Sequence, residues 1–88
     1  MVIQVQKEIK PKEYEFSDAY KKALEDGDII ITSLKSKDKY RIENVEGKTK
    51  LKFFSSTIDN WRNCPFILAE EISNKWILEK NGVVEYES

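Results

Sequence analysis

Basic and apolar residues alternate along residues 39–53, KYRIENVEGKTKLKF, where residue type and spacing point most clearly to a chemical role. If this segment forms two strands joined at Glu46-Gly47, alternate side chains point to opposite faces of a sheet. Apolar side chains then share one face. The other face carries five basic side chains and one acid: Lys39, Arg41, Lys48, Lys50, Lys52 and Glu43.

Concentrated positive charge of this kind suits an anionic ligand, and we expect the phosphate of a nucleotide-like small molecule. Arg41 would be the anchor, because a guanidinium holds phosphate oxygens through two parallel hydrogen bonds. Lys39 and Lys50 would add charge, and Trp61, in the polar segment 55–63, would stack a base. Two alternatives stay open: the lysines form only the hydrated side of a sheet that resists edge-to-edge pairing, and Trp61 fills the core.

The remaining composition offers little catalytic chemistry. The chain has no histidine, which is the commonest general base and metal ligand. Its single cysteine, Cys64, excludes an internal disulfide and a cysteine-based zinc cluster, and we expect it to be a small buried apolar residue. Glu70 and Glu71 are adjacent, so their carboxylates would point apart in a strand and lie about 100° apart in a helix. We therefore expect a protein that is not an enzyme and uses neither a cofactor nor a metal ion.

Length and charge narrow the class of protein. The 88 residues suit a single domain over 1–88, and 40% hydrophobic with 35% charged residues is typical of a folded chain. A net charge of −1 makes general nucleic-acid binding unexpected. The apolar runs are too short for a membrane span, and the first residues, MVIQV, do not resemble a secretory signal. These features predict a cytoplasmic protein with no membrane partner.

One amphipathic helix is predicted near the N-terminus. Ser17 is expected to cap its start, Asp18 to favour the positive end of its dipole, and Gly27 to close it. We expect Leu24 to dock on the sheet, so that Leu24→Ala would cost about 2–5 kcal/mol. The apolar stripe follows the spacing i, i+3, i+4, i+7 and i+8: Phe16, Ala19, Tyr20, Ala23 and Leu24.

Extended segments account for most of the remaining chain. Residues 29–32 are β-branched throughout and predict a strand buried on both faces. Asn81-Gly82 predicts a tight hairpin turn, as Glu46-Gly47 does, and residues 69–74 a turn or one helical turn. The predicted strands are 2–6, 29–32, 39–45, 48–54, a short one beginning at Pro65, 76–79 and 83–86. These elements predict an α+β fold, with the helix packed on a small antiparallel sheet of about five or six strands.

Two segments, FSDAYKKALEDGD at 16–28 and ILAEEISNKWI at 67–77, resemble the Thoeris anti-defence proteins of the second type. In that family a short helix ends at a glycine before a strand, and an acidic turn precedes a last strand that bears tryptophan. The resemblance implies a small phage protein that sequesters a cyclic nucleotide immune signal in the bacterial host and forms homo-oligomers with pockets between subunits. Residues 31–35 lack the family's arginine and tryptophan, which Arg41, Lys50 and Trp61 would replace.

A different class of function is also compatible with the sequence. The chain could be a phage inhibitor that binds a host or defence protein directly, through a sheet edge or an aromatic patch. An accessory phage protein without a ligand pocket is the third possibility.

Overall fold

The computed structural model describes residues 10–55 and 58–87. The strand predicted at 2–6 lies outside these residues. Two helices and six strands are described, in the order α1 (Phe16–Glu25), β1 (Ile29–Ser33), β2 (Lys39–Val45), β3 (Lys48–Ser55), β4 (Ile58–Asn63), α2 (Ala69–Ile72), β5 (Trp76–Lys80) and β6 (Val83–Val84).

All six strands belong to one antiparallel sheet in the order β4-β3-β2-β1-β5-β6, and α1 packs on one of its faces. The predicted α+β fold is confirmed. The central strand β1 pairs with β2 on one side and β5 on the other. Ile31, Thr32 and Ser33 are all buried there although neighbours point to opposite faces, so this half of β1 is covered on both sides. Neither described helix is long and apolar enough to cross a membrane.

The docked stripe of α1 is narrower than predicted. Ala19 and Ala23 are fully buried against the sheet, whereas Leu24 is 51% exposed, so the expectation that Leu24 docks there was wrong. Small alanines, one turn apart, bring the helix close to the sheet, and Leu24 lies about 100° further round the helix axis. The stripe of α1 therefore centres on its two alanines.

Both predicted ends of α1 also need correction. The N-cap is Glu15 and no side chain caps the helix, so Ser17 lies inside the first turn. At the other end Asp26 is the C-cap, with an extended backbone, and Gly27 is not among the residues with positive φ. Asp18 does lie in the first turn, where its charge favours the positive end of the helix dipole.

Two tight turns form as predicted. Glu46 and Gly47 have φ of 52° and 77°, and Asn81 and Gly82 have φ of 52° and 80°. Two consecutive left-handed residues match the right-handed twist of the flanking strands, which favours hairpins. The first turn sets the β2–β3 register in which apolar residues face each other: Tyr40 with Phe53 and Ile42 with Leu51.

Residues 55–68 differ from the prediction. The segment expected to be a loop contains β4, which pairs with the edge of β3 across an irregularity at Phe54 and Ser55. Polar residues are tolerated in β4 because it is an edge strand, and its pairing decides the structure more than β propensity does. Residues 65–68, expected to be a strand, instead leave the sheet and lead into α2, the predicted helical turn.

The core lies between α1 and the sheet. Trp76, at the start of β5, is fully buried. Its ring contacts Phe16 and Tyr40, with centroids 5.3 and 5.2 Å away. Aromatic contacts at these separations stabilise beyond the area that they bury. The Trp76 side chain therefore links the helix, the central strands and the chain that follows α2.

Candidate functional site

The sheet face opposite α1 carries the charges that the sequence placed together, and we call it the basic face. It is built by β2, β3 and β4. Cross-strand pairs bring Arg41 opposite Lys52, Glu43 opposite Lys50 and Val45 opposite Lys48. Because side chains alternate along both strands, the basic face holds the five predicted basic residues: Lys39, Arg41, Lys48, Lys50 and Lys52.

Trp61 lies on this face, but on strand β4 and not in a loop. It sits opposite Phe54, with ring centroids 5.6 Å apart. The guanidinium carbon of Arg41 lies 4.4 Å from the centroid of the Trp61 ring, a close cation–π contact. The structure thus brings together two of the predicted site residues, Arg41 and Trp61. It also means that the guanidinium and a nucleotide base would compete for the same part of the ring.

Two of the predicted site residues already have acidic partners within the chain. Arg41 donates from Nη2 to Glu43 Oε1 at 2.7 Å, and Lys39 donates from Nζ to Glu79 Oε1 at 2.7 Å. Lys52 reaches the other oxygen of Glu43 at 4.0 Å. Lys50 is exposed on the strand position opposite Glu43. Glu43 therefore neutralises the centre of the basic face.

One donor of Arg41 makes no hydrogen bond to the described residues. Its Nε atom is buried, and no hydrogen-bond acceptor for it exists among the residues that the structure describes. A buried donor without an acceptor costs about 1–3 kcal/mol. The Arg41 guanidinium can therefore donate a further hydrogen bond from Nε while its Nη2 contacts Glu43. An oxyanion that replaced the Glu43 carboxylate could accept hydrogen bonds from both Nη2 and Nε of Arg41.

Sequence reasoning missed a second polar cluster, on the helix side of the sheet. Glu71 of α2 is only 6% exposed, and its carboxylate accepts hydrogen bonds from the hydroxyls of Ser33, Ser36 and Tyr40. Burial, and then the charge of Glu71, raises the pKa of the Tyr40 hydroxyl. The adjacent Glu70 is exposed, as expected for neighbouring side chains about 100° apart on a helix. The available signal was a pair of adjacent acidic residues in a short helical turn, Ala69-Glu70-Glu71-Ile72, of which one must face the sheet.

Cys64 lies near this cluster. Its thiol is half-buried and donates to the carbonyl oxygen of Phe66 at 3.1 Å. Burial raises the pKa of the thiol, which keeps it protonated and weakly nucleophilic. Across residues 10–55 and 58–87 no group of three or more His, Cys, Asp or Glu residues could hold a metal ion.

No protein-family model, curated protein or solved structure matches this chain. Evidence on function therefore comes from the side chains of the basic face and of the surface around α2.

Proposed function

We propose that the chain is a non-catalytic binding protein that holds an anionic nucleotide on its basic face. The observation that carries this proposal is the position of Arg41. Its guanidinium lies over Trp61, in the middle of a face with four lysines, and retains a buried nitrogen without an acceptor in residues 10–55 and 58–87. An arginine of this kind favours an oxyanion such as phosphate, two of whose oxygens can accept hydrogen bonds from the planar guanidinium at once.

Binding would proceed by exchange of one anion for another. The ligand phosphate would take the place of Glu43 beside Arg41 and Lys52, while Lys48 and Lys50 add attraction at the rim. Because Glu43 is about one-third exposed, moving its carboxylate into water costs less free energy than separating Arg41 from a fully buried partner would. The base would contact Trp61 or Phe54 at the edge of the sheet, since aromatic rings stack bases of any sequence.

The family resemblance would make the ligand a cyclic nucleotide signal of bacterial immunity, sequestered in the cytoplasm of the host by a phage protein. It would also make the protein a homo-oligomer. Strands β4 and β6 form the two edges of the described sheet, and such edges offer unpaired backbone groups to a second copy. Light scattering at high micromolar concentration tests this part: we expect a dimer or a multiple of it, and a monomer would contradict it.

A panel of anions tests the binding proposal. The panel contains pyrophosphate, linear mononucleotides, cyclic mononucleotides and cyclic dinucleotides, each followed by thermal melting. A ligand at a hundredfold its Kd should stabilise the fold by about 2.7 kcal/mol. For a domain of this size the melting temperature would then rise by roughly 10–20 °C. No rise with any member of the panel would contradict the proposal.

Two matched variants test whether any rise in melting temperature comes from binding at the basic face. Lys50→Ala removes one charge from this face, whereas Lys21→Ala removes one from the exposed side of α1, on the other side of the sheet. We expect Lys50→Ala to reduce the shift and Lys21→Ala to leave it unchanged. Equal loss in both variants would mean that net charge, and not a site, attracts the anion.

A direct protein partner is the second candidate, and exposed apolar residues favour it. Phe66 is 71% exposed, Leu68 58% and Ile72 45%, all within or just before α2. Exposed apolar residues that cluster often mark an interaction surface. If no anion binds, host proteins captured by the wild type should be compared with those captured by a Phe66→Ser, Leu68→Ser variant. A partner lost selectively from the variant would support this candidate.

A further inference from the structure

A pocket of about 540 Å³ opens on the helix side of the sheet, between β2, β3 and the chain that leads into α2. Its volume falls within the range of about 300–1,000 Å³ that is typical of small-molecule sites. It is separate from the basic face, because Tyr40 and Phe53 contribute the opposite side of their strands. Apolar and aromatic side chains form most of its wall: Tyr40, Phe53, Cys64, Pro65, Phe66 and Leu68.

The polar part of this pocket is the carboxylate of Glu71. Oε1 accepts from Ser33 Oγ at 2.9 Å, and Oε2 accepts from Ser36 Oγ at 2.7 Å and from Tyr40 Oη at 3.1 Å. All three donors are neutral hydroxyls. Within the described part of the chain, no lysine or arginine lies within ion-pair distance of Glu71. A buried carboxylate without a cation is a costly arrangement that a positive group would relieve.

Acidic residues also line the rim of the pocket, near the Glu71 carboxylate. Asp38 and Glu70 line it together with a single cation, Lys35. The Lys35 ammonium is directed to Glu70, at 3.1 Å, and not to the buried carboxylate. Glu70 and Glu71 thus place two carboxylates beside a largely apolar space, and the Lys35 ammonium contacts the outer one. Charge complementarity favours a ligand that has a positive head and an apolar body.

We propose that this pocket binds a small organic cation, a primary ammonium or guanidinium group on an aromatic or aliphatic body. The cationic head would lie against Glu71, which is held in place by its three hydroxyl donors. The body would lie between Phe53, Phe66 and Leu68. The site is independent of anion binding on the basic face, so either proposal can fail without the other.

Three probes with the same phenyl body test the proposal: phenethylamine, 2-phenylethanol and 3-phenylpropanoate. Each is titrated into the ¹⁵N-labelled protein, with amide shifts recorded by NMR. We expect shifts around α2 and residues 64–68, with phenethylamine binding at least about tenfold more tightly than the alcohol and the carboxylate more weakly than both. Equal binding of amine and alcohol, or no shift with any probe at 10 mM, would overturn the proposal.

Two variants with the same change of charge locate the cation. Glu71→Gln should remove the preference for the amine over the alcohol, whereas Glu25→Gln, at an exposed position of α1 that does not line the pocket, should leave it unchanged. A preference retained in Glu71→Gln would contradict the assignment. Should Glu71→Gln fail to fold, as judged by circular dichroism, Phe66→Ala decides the location. Phe66 is 71% exposed, so this variant should fold and should weaken all three probes, and unchanged affinities would overturn the proposal.

Discussion

The two sides of the sheet hold their charges in opposite ways. On the basic face, Arg41 and Lys39 are partly exposed. Arg41 is paired with Glu43 and Lys39 with Glu79, so each of these two cations already has an anionic partner. On the helix side, the Glu71 carboxylate is buried and accepts hydrogen bonds from three neutral hydroxyl groups. A ligand on the basic face must therefore replace a carboxylate, whereas a ligand at Glu71 would supply the missing opposite charge.

This difference predicts where substitutions act. Exposed ion pairs contribute about 0–1 kcal/mol to stability, because water and salt screen them. A buried carboxylate depends on each of its donors, and a donor lost there costs about 1–3 kcal/mol. Substitutions on the basic face should therefore change ligand affinity more than the free energy of unfolding. Substitutions around Glu71 should change the free energy of unfolding directly.

The largest effect on stability should come from Trp76, which supports the helix side. Trp76→Ala should lower the free energy of unfolding by about 3–5 kcal/mol, since it removes a fully buried ring. It also removes the indole N–H that donates to the Glu71 carbonyl oxygen at 3.0 Å. Leu24→Ala, at a half-exposed position, should cost less than about 1 kcal/mol. Urea melts that rank these variants in the reverse order would contradict the core described above.

Arg41→Ala should have the largest effect on anion affinity. Loss of the guanidinium leaves a phosphate unpaired, at a cost of about 2–5 kcal/mol in binding. Arg41→Lys is the matched variant, which keeps the charge but lacks the fork and the planar stacking group, and it should recover only part of the affinity. Calorimetry at two salt concentrations measures both, and raised salt should weaken wild-type binding. Arg41→Ala that binds as well as wild type would exclude this residue as the anchor.

Tyr40→Phe should have an intermediate effect, and one that depends on pH. At neutral pH the lost hydrogen bond to the Glu71 carboxylate should cost about 1.5–3 kcal/mol. The pKa of Tyr40 is raised above its ordinary value of 10.0 in the folded protein, mainly by burial. The unfolded chain therefore releases this proton at lower pH, and stability falls as pH rises above about 10.

Tyr40→Phe should make this alkaline loss of stability less steep. The free energy of unfolding of the variant should still decrease somewhat with pH, because burial and Glu85 also raise the pKa of Tyr14. Urea melts between pH 8 and pH 11 measure the slope in both proteins. Identical slopes would mean that Tyr40 ionises as readily in the folded protein as in the unfolded chain.

Local sequence signals predicted most of the fold and the layout of the basic face. Glu46-Gly47 and Asn81-Gly82 each provide two left-handed residues, and these turns set the registers of two hairpins. Period-two alternation then determines which side chains share a face. The helix was also predicted from its period, although Leu24 shows that the period does not fix the centre of the docked stripe.

Long-range contacts account for what could not be predicted. Strand β4 is polar and forms because β3 presents a free edge, so only the sheet reveals that Trp61 lies beside Arg41. The donors of Glu71 are 31 to 38 residues away in the chain, and no local pattern links them. The Glu43–Arg41 pair could have been predicted from the sequence, since residues i and i+2 share a strand face. Its effect on an anion site depends on the observed distance between the guanidinium and the carboxylate.

The central claim is that the basic face is an anion site now occupied by Glu43, and Glu43→Gln tests it most directly. Glu25→Gln, on the exposed side of α1, makes the same change of net charge away from this face. Calorimetry with the tightest anion of the panel should show Glu43→Gln binding about five- to tenfold more tightly than wild type, and Glu25→Gln binding as wild type does. Equal affinity in all three proteins, or weaker binding by Glu43→Gln, would contradict the claim.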